Sequence, residues 1–114
     1  ATGFRYLFPE LSSREDTANR VLALTVKKSA GRGGQDFAEV LFGLAELERF
    51  NIFILFDRDI DLKDGSLMLW KIFNNVDPGR DIHLREGRAV IDACKKGPMD
   101  GHDREWPEEL IFDV

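Results

Sequence analysis

Cys94 is the only cysteine among the 114 residues, so no intrachain disulfide can form. Small extracellular folds stapled by disulfides are excluded, and a reducing cytoplasm is the expected setting. No Asn-x-Ser/Thr acceptor occurs. No apolar run approaches the roughly 20 residues that cross a bilayer, so membrane spanning is not expected. The first residues, Ala1-Thr2-Gly3-Phe4-Arg5, contain no signal-peptide core. Positive charge is in deficit: 16 Lys and Arg stand against 21 Asp and Glu, a formal net charge of −5. Phosphate recognition needs clustered cations, so a nucleic-acid partner is not expected. The two histidines, His83 and His102, belong to no HExxH-type pattern.

What is present describes one α/β domain. Apolar residues make up 43 % and charged residues 32 %, ordinary values for a globule. Residues 1–20 read as an irregular arm, with an apolar clump at Phe4, Tyr6, Leu7 and Phe8 and a polar stretch from Ser12 to Asp16. Residues 21–114 read as a single domain. Val21–Val26 is nearly continuous in apolar residues, as a strand covered on both faces would be. After a glycine-rich loop, Phe37, Val40, Leu41, Leu44 and Leu47 make one stripe of a helix over about 36–49. Asp36 is its expected N-cap, with Glu39 three residues on as in a capping box.

Phe50–Phe56 predicts a second strand, rich in aromatic residues. A second helix over about 66–75 carries Leu67, Met68, Leu69, Trp70, Ile72 and Phe73 around most of its circumference. A helix apolar on more than one side needs more than one covering surface, so a second subunit or a further domain is expected to pack there. Asp77-Pro78-Gly79 predicts a turn, with short strands near 82–84 and 89–91. The closing region is rich in turns and ends on an apolar tail, Leu110-Ile111-Phe112. The order β-α-β-α-β implies a small, mainly parallel or mixed sheet flanked by helices.

Three features invite a chemical reading. Gly31, Gly33 and Gly34 lie between a strand and a helix, near Lys27, Lys28 and Arg32, where a helix N-terminus could hold an anion. Their spacing matches neither GxGxxG nor GxxxxGK[ST], and a plain strand-to-helix connection is the stronger reading. Asp57, Asp59, Asp61 and Asp64 follow the second strand and could bind a divalent cation. The EF-hand pattern fails, because Leu62 stands in place of its glycine and Met68 in place of its glutamate, so turns and caps are favoured. Cys94 has basic neighbours in Lys95 and Lys96 but no histidine arranged to activate it.

Taken together, four short segments resemble the C-terminal domain of the UbiD family, the 3-octaprenyl-4-hydroxybenzoate carboxy-lyase-like decarboxylases. Ile54-Leu55-Phe56-Asp57-Arg58-Asp59-Ile60-Asp61 is similar to the family's VVDxDID segment. Leu69-Trp70 and then Asp77-Pro78-Gly79-Arg80-Asp81 match its Leu-Trp helix and DPxRD. Asp92-Ala93-Cys94-Lys95-Lys96 matches DAxxK, and Arg104-Glu105-Trp106-Pro107 matches RxWP. Asn75 stands where the family usually has arginine.

The resemblance implies reversible decarboxylation of aromatic or α,β-unsaturated acids with prenylated FMN, a divalent metal and a monovalent cation. It places that chemistry mostly in a larger N-terminal domain. For the present residues it implies assembly and packing over the active-site cleft. No catalytic residue, cofactor-binding residue or metal ligand is carried over to this chain. Asp57, Asp59, Asp61, Trp70, Asp77, Arg80, Asp81, Asp92, Lys95 and Trp106 are implied to have structural roles.

The leading reading is thus a C-terminal domain or small accessory subunit of a UbiD-like decarboxylase or carboxylase. It would bind no cofactor alone, would not be active alone, and would have a larger UbiD-like domain or subunit as partner within an oligomer. A stand-alone oligomerisation domain, and a small protein binding a nucleotide or other anion at Gly31–Gly34, are the alternatives.

Overall fold

The computed structural model describes residues 12–28 and 33–96. Five strands form one mixed sheet: β1 (Ser13–Asp16), β2 (Val21–Val26), β3 (Ile52–Asp57), β4 (Ile82–Arg85) and β5 (Arg88–Asp92), in the order β1-β2-β3-β5-β4. The three central strands are parallel. Val21 pairs with Ile52 and Val26 with Asp57, while Ile52 pairs with Ala89 and Leu55 with Asp92. Both edge strands are antiparallel to their neighbours. The mainly parallel or mixed sheet expected from the sequence is therefore present, with its antiparallel pairs at the two edges.

Helix α1 (Gly34–Gly43) lies on one sheet face and α2 (Gly65–Asn75) on the other. Under α1, Phe37, Ala38 and Leu41 pack against Leu22, Leu24, Phe53, Leu55 and Val90. Phe53 alternates with Ile54 in direction, so Ile54 and Phe56 face α2 and meet its Leu67, Met68 and Ile72. One short helical turn, α3 (Pro78–Asp81), leads into β4. The β4–β5 hairpin closes on Glu86 and Gly87, with φ of 49° and 80°. Two successive positive φ values are the signature of a type I′ turn, in which Gly87 carries no Cβ penalty.

Several boundaries differ from the sequence reading. Ser13–Asp16, part of the segment expected to be irregular, is a strand. Its four side chains are all exposed, so no apolar alternation marks it. Backbone pairing to β2 holds it, with Ser12 N–H donating to Thr25 Oγ1 at 2.9 Å. The first helix stops at Gly43 because Leu44 is extended, and Ala45–Leu47 form a separate 3-10 turn. Gly33, not Asp36, is its N-cap. Asp36 is the third helical residue and its carboxylate accepts the Gly33 N–H at 2.7 Å. The Asp77-Pro78-Gly79 turn is the start of α3, with Asp77 as its cap.

The arm at Phe4–Phe8, Gly31, His102, Trp106 and the Leu110–Phe112 tail lie outside the described residues. Among the described residues no helix is long and apolar enough to cross a membrane.

Candidate functional site: a buried polar cluster at the strand ends

Parallel strands bring their C-terminal ends to one edge of the sheet, where open α/β sheets place their functional groups. β3 ends there on Asp57 and β5 on Asp92. Lys28, two residues beyond β2, reaches across to Asp92, with Nζ donating to Oδ2 at 2.6 Å. Both side chains are buried, at 6 % and 2 % exposure. The other Asp92 oxygen accepts the Cys94 N–H at 3.0 Å. The same carboxylate lies against the first residue of α1: a Cβ built on Gly34 would stand 2.2 Å from Asp92 Oδ2. A helix N-terminus favours negative charge, and here the chain's own carboxylate supplies it. The place where the sequence allowed a bound anion is thus occupied, at Gly34, by Asp92.

Four residues beyond Asp92, the Lys96 side chain turns into the interior and is fully buried. Its ammonium donates to the backbone oxygens of Asp92 at 2.9 Å, Asn75 at 3.2 Å and Cys94. Asp81 Oδ2 and Asp92 Oδ1 stand 3.6 Å and 3.7 Å away. A buried ammonium is costly unless paired and fully hydrogen-bonded, and this one is both.

Asp81 is itself held from two sides. Arg80 donates to its two oxygens at 2.7 Å and 2.8 Å, and the Asp77 N–H donates at 2.7 Å. Burial pushes the Asp81 carboxyl up, but these donors and the Lys96 charge outweigh it and leave the pKa below the ordinary value. Asn75 at the end of α2 donates to Ala93 O at 2.8 Å. Asp57 accepts the Lys95 N–H at 3.1 Å, yet its own burial wins and its pKa lies above the ordinary value. Burial, followed by the nearby Asp92 and Asp57 charges, pushes the Cys94 thiol up. A neutral, buried thiol is a poor nucleophile.

The structure therefore gathers the side chains of Asp57, Arg80, Asp81 and Asp92 from the sequence-derived set, and Asp77 joins them through its backbone N–H while its own carboxylate caps α3. Asp59 and Asp61 are exposed, and Asp61 accepts the Lys63 N–H in a local turn at 2.9 Å. Asp64 caps α2 by accepting the Leu67 N–H at 3.0 Å. Among the described residues no three of His, Cys, Asp and Glu converge as metal ligands. Trp70 sits on α2, half-buried, with the Lys71 ammonium 5.3 Å from its ring. Lys95 contributes its backbone N–H while its side chain is exposed. The lysine at the centre is Lys96, the one that closes the DAxxK spacing. Lys28 and Asn75 also belong to the cluster, the first from the loop with weak motif spacing and the second from the position where arginine was expected.

The contacts bind the ends of β2, β3 and β5, α1, the end of α2 and α3 into one unit. They form a closed network of satisfied charges, with no activated nucleophile within it.

The sequence profile of the 3-octaprenyl-4-hydroxybenzoate carboxy-lyase C-terminal domain matches residues 12–102. An uncharacterized protein of Helicobacter pylori is 38 % identical over 93 residues, which cover 82 % of this chain and 15 % of that protein. An Aquifex aeolicus protein is 30 % identical over 103 residues, covering 76 % of this chain and 21 % of its own length. The chain thus spans between a seventh and a quarter of such relatives.

Among solved structures, vanillic acid decarboxylase of Sedimentibacter hydroxybenzoicus superposes with a TM-score of 0.77 at 19 % identity, over 96 % of this chain and 27 % of that one. The UbiD-class enzyme HmfF of Pelotomaculum thermopropionicum, solved in complex with prFMN, gives 0.64 at 15 % identity, over 91 % and 25 %. At these identities the likeness establishes a shared fold.

Proposed function

The chain belongs to the family of UbiD C-terminal domains, and on that premise we propose that it is the C-terminal part or accessory subunit of a UbiD-like carboxy-lyase acting on an aromatic acid. In this reading it supplies assembly and closure of the active-site cleft. Prenylated FMN and the divalent metal belong to the larger catalytic part, which is its partner in an oligomer in the cytoplasm. Among the described residues no metal-ligand set converges, and the first residue of α1 faces the chain's own Asp92 carboxylate. No chemical step is therefore assigned to this chain. Its residues hold the strand ends rigid through Lys28, Asp81, Asp92 and Lys96.

The observation that carries the assembly role is the outer side of α2. Leu69 is 54 % exposed and Phe73 78 % exposed, one helical turn apart, while Leu67, Met68 and Ile72 already cover the sheet. A helix with a second apolar side suits a surface that another folded body covers. The relatives are about five to seven times longer than the matched region, which leaves chain enough for such a body.

The test is affinity capture with this chain as bait, with partners identified by mass and the eluate scanned for flavin absorbance. The expected partner is a UbiD-like polypeptide carrying flavin, and aromatic-acid decarboxylation is expected of the complex but not of the bait. A bait that decarboxylates unaided would overturn the reading, and a bait that recovers only itself would overturn the accessory-subunit form in favour of the C-terminal part of a longer chain or a self-associating module.

A further inference from the structure

We propose that the oxygens around Lys96 form a monovalent-cation cage that the lysine ammonium fills, and that the cage takes potassium or ammonium ion from solution once the side chain is shortened. Five oxygens converge on one point. Three are backbone carbonyls, of Asp92 at 2.9 Å, Asn75 at 3.2 Å and Cys94. Two are carboxylate oxygens, of Asp81 at 3.6 Å and Asp92 at 3.7 Å. The side chain they surround is fully buried. Carbonyl rings shut off from water replace the hydration shell of a monovalent cation, which is how potassium filters work.

The cage does not depend on Lys96 for its shape. Asn75 is fixed by its own amide, which donates to Ala93 O at 2.8 Å. Asp81 is fixed by Arg80 and by the Asp77 N–H. Asp92 is fixed by Lys28 and by the Cys94 N–H. Shortening the lysine therefore leaves a polar void with its oxygens still aimed inward. A void of this kind does not stay dry. Water satisfies the carbonyls, but a cation also answers the two carboxylates, so a cation is the better occupant. In the native chain the tethered ammonium needs no ion from solution and locks the end of α2, the Asp77–Asp81 turn and the end of β5 together. This inference rests on the cluster geometry and is independent of the catalytic reading.

The full chain would be prepared as wild type, Lys96→Ala and Lys96→Met. Thermal melts would be compared in potassium, ammonium and choline chloride at equal ionic strength. Lys96→Ala is expected to melt well below wild type in choline and to regain at least half of the lost midpoint shift in potassium or ammonium. Wild type and Lys96→Met, whose side chains fill the space, are expected to show no such ion preference. Nitrogen-15 spectra at neutral pH give a second readout: a lysine Nζ ammonium signal protected from exchange in wild type and missing from Lys96→Met, which separates it from the buried Lys28. A Lys96→Ala protein with the same midpoint in all three salts, or unfolded in all three, overturns the proposal. So does the absence of a protected ammonium signal in wild type.

Discussion

Gly34 and Asp92 are in such close contact that a single methyl group on the glycine would stand 2.2 Å from the Asp92 Oδ2 and 3.0 Å from its Cγ. The carboxylate cannot swing away without giving up Lys28 at 2.6 Å or the Cys94 N–H at 3.0 Å. Gly34→Ala is therefore expected to destabilise the chain by about 2–3 kcal/mol, in the range of overpacked interiors. Gly43 provides the control, since nothing lies within 4 Å of its Cβ position. Gly43→Ala should be neutral or stabilising, by up to about 1 kcal/mol, because alanine loses less backbone freedom on folding. Urea unfolding of the two variants measures both, and equal effects would show that the Gly34–Asp92 contact is not the tight one.

The ion pair between Lys28 and Asp92 is buried on both sides, so removing one partner takes the nearest opposite charge from the other. Lys28→Met and Asp92→Asn should each cost about 3–5 kcal/mol, and the double substitution should cost less than the sum of the two. A double-mutant cycle by urea unfolding checks this. Additive losses would mean that the two charges act separately, Asp92 chiefly through the end of α1.

Much of this architecture is legible in the sequence because burial leaves a mark. Val21–Val26 and Ile52–Phe56 are apolar on both faces since α1 covers one face and α2 the other. β1 leaves no mark, because all four of its side chains face solvent and its hold on β2 is through the backbone. The Asp57–Asp59–Asp61 run looks like one acidic site. In space it divides, since Asp57 ends a strand and turns inward while Asp59 and Asp61 lie in an exposed turn. Lys95 and Lys96 differ in nothing that composition can detect. Only the four-residue offset from Asp92 singles out Lys96, and the direction of its side chain depends on the fold around Asn75 and Asp81. Lys28 lies 64 residues from Asp92, so pattern alone could not pair them.

Asp81 and Asp57 should give opposite pH signatures. The folded pKa of Asp81 is depressed, so its contribution to stability is present above the unfolded value of 3.8 and lost as pH falls through the folded value. Asp81→Asn should therefore be destabilised at pH 7, and its gap to wild type should close on acidification below about pH 4. The folded pKa of Asp57 is raised by burial, so its stabilising contribution is present below 3.8 and is lost as pH rises through the folded value. Asp57→Asn keeps an oxygen for the Lys95 N–H. It should match or exceed wild-type stability at pH 7 and lose that advantage in acid. Denaturant midpoints from pH 3 to pH 7 test both, and parallel curves for the two variants would contradict the assigned shifts.

The outer side of α2 separates folding from assembly. Leu69 and Phe73 are exposed, so replacing both with glutamine should change the stability of the chain alone by no more than about 0.5 kcal/mol per site. Substitution on the inner side differs in kind: Ile72→Ala removes packing against the sheet and should cost about 2 kcal/mol or more, at the lower end of core truncations because Ile72 is only partly buried. Under the proposed assembly role the order reverses. The Leu69→Gln/Phe73→Gln chain should fold normally and lose most of its capture of the proposed larger partner, because truncated apolar anchors dominate binding loss at interface centres. Capture at wild-type level would place the partner on another surface, and the second apolar side of α2 would then have to be covered by something else.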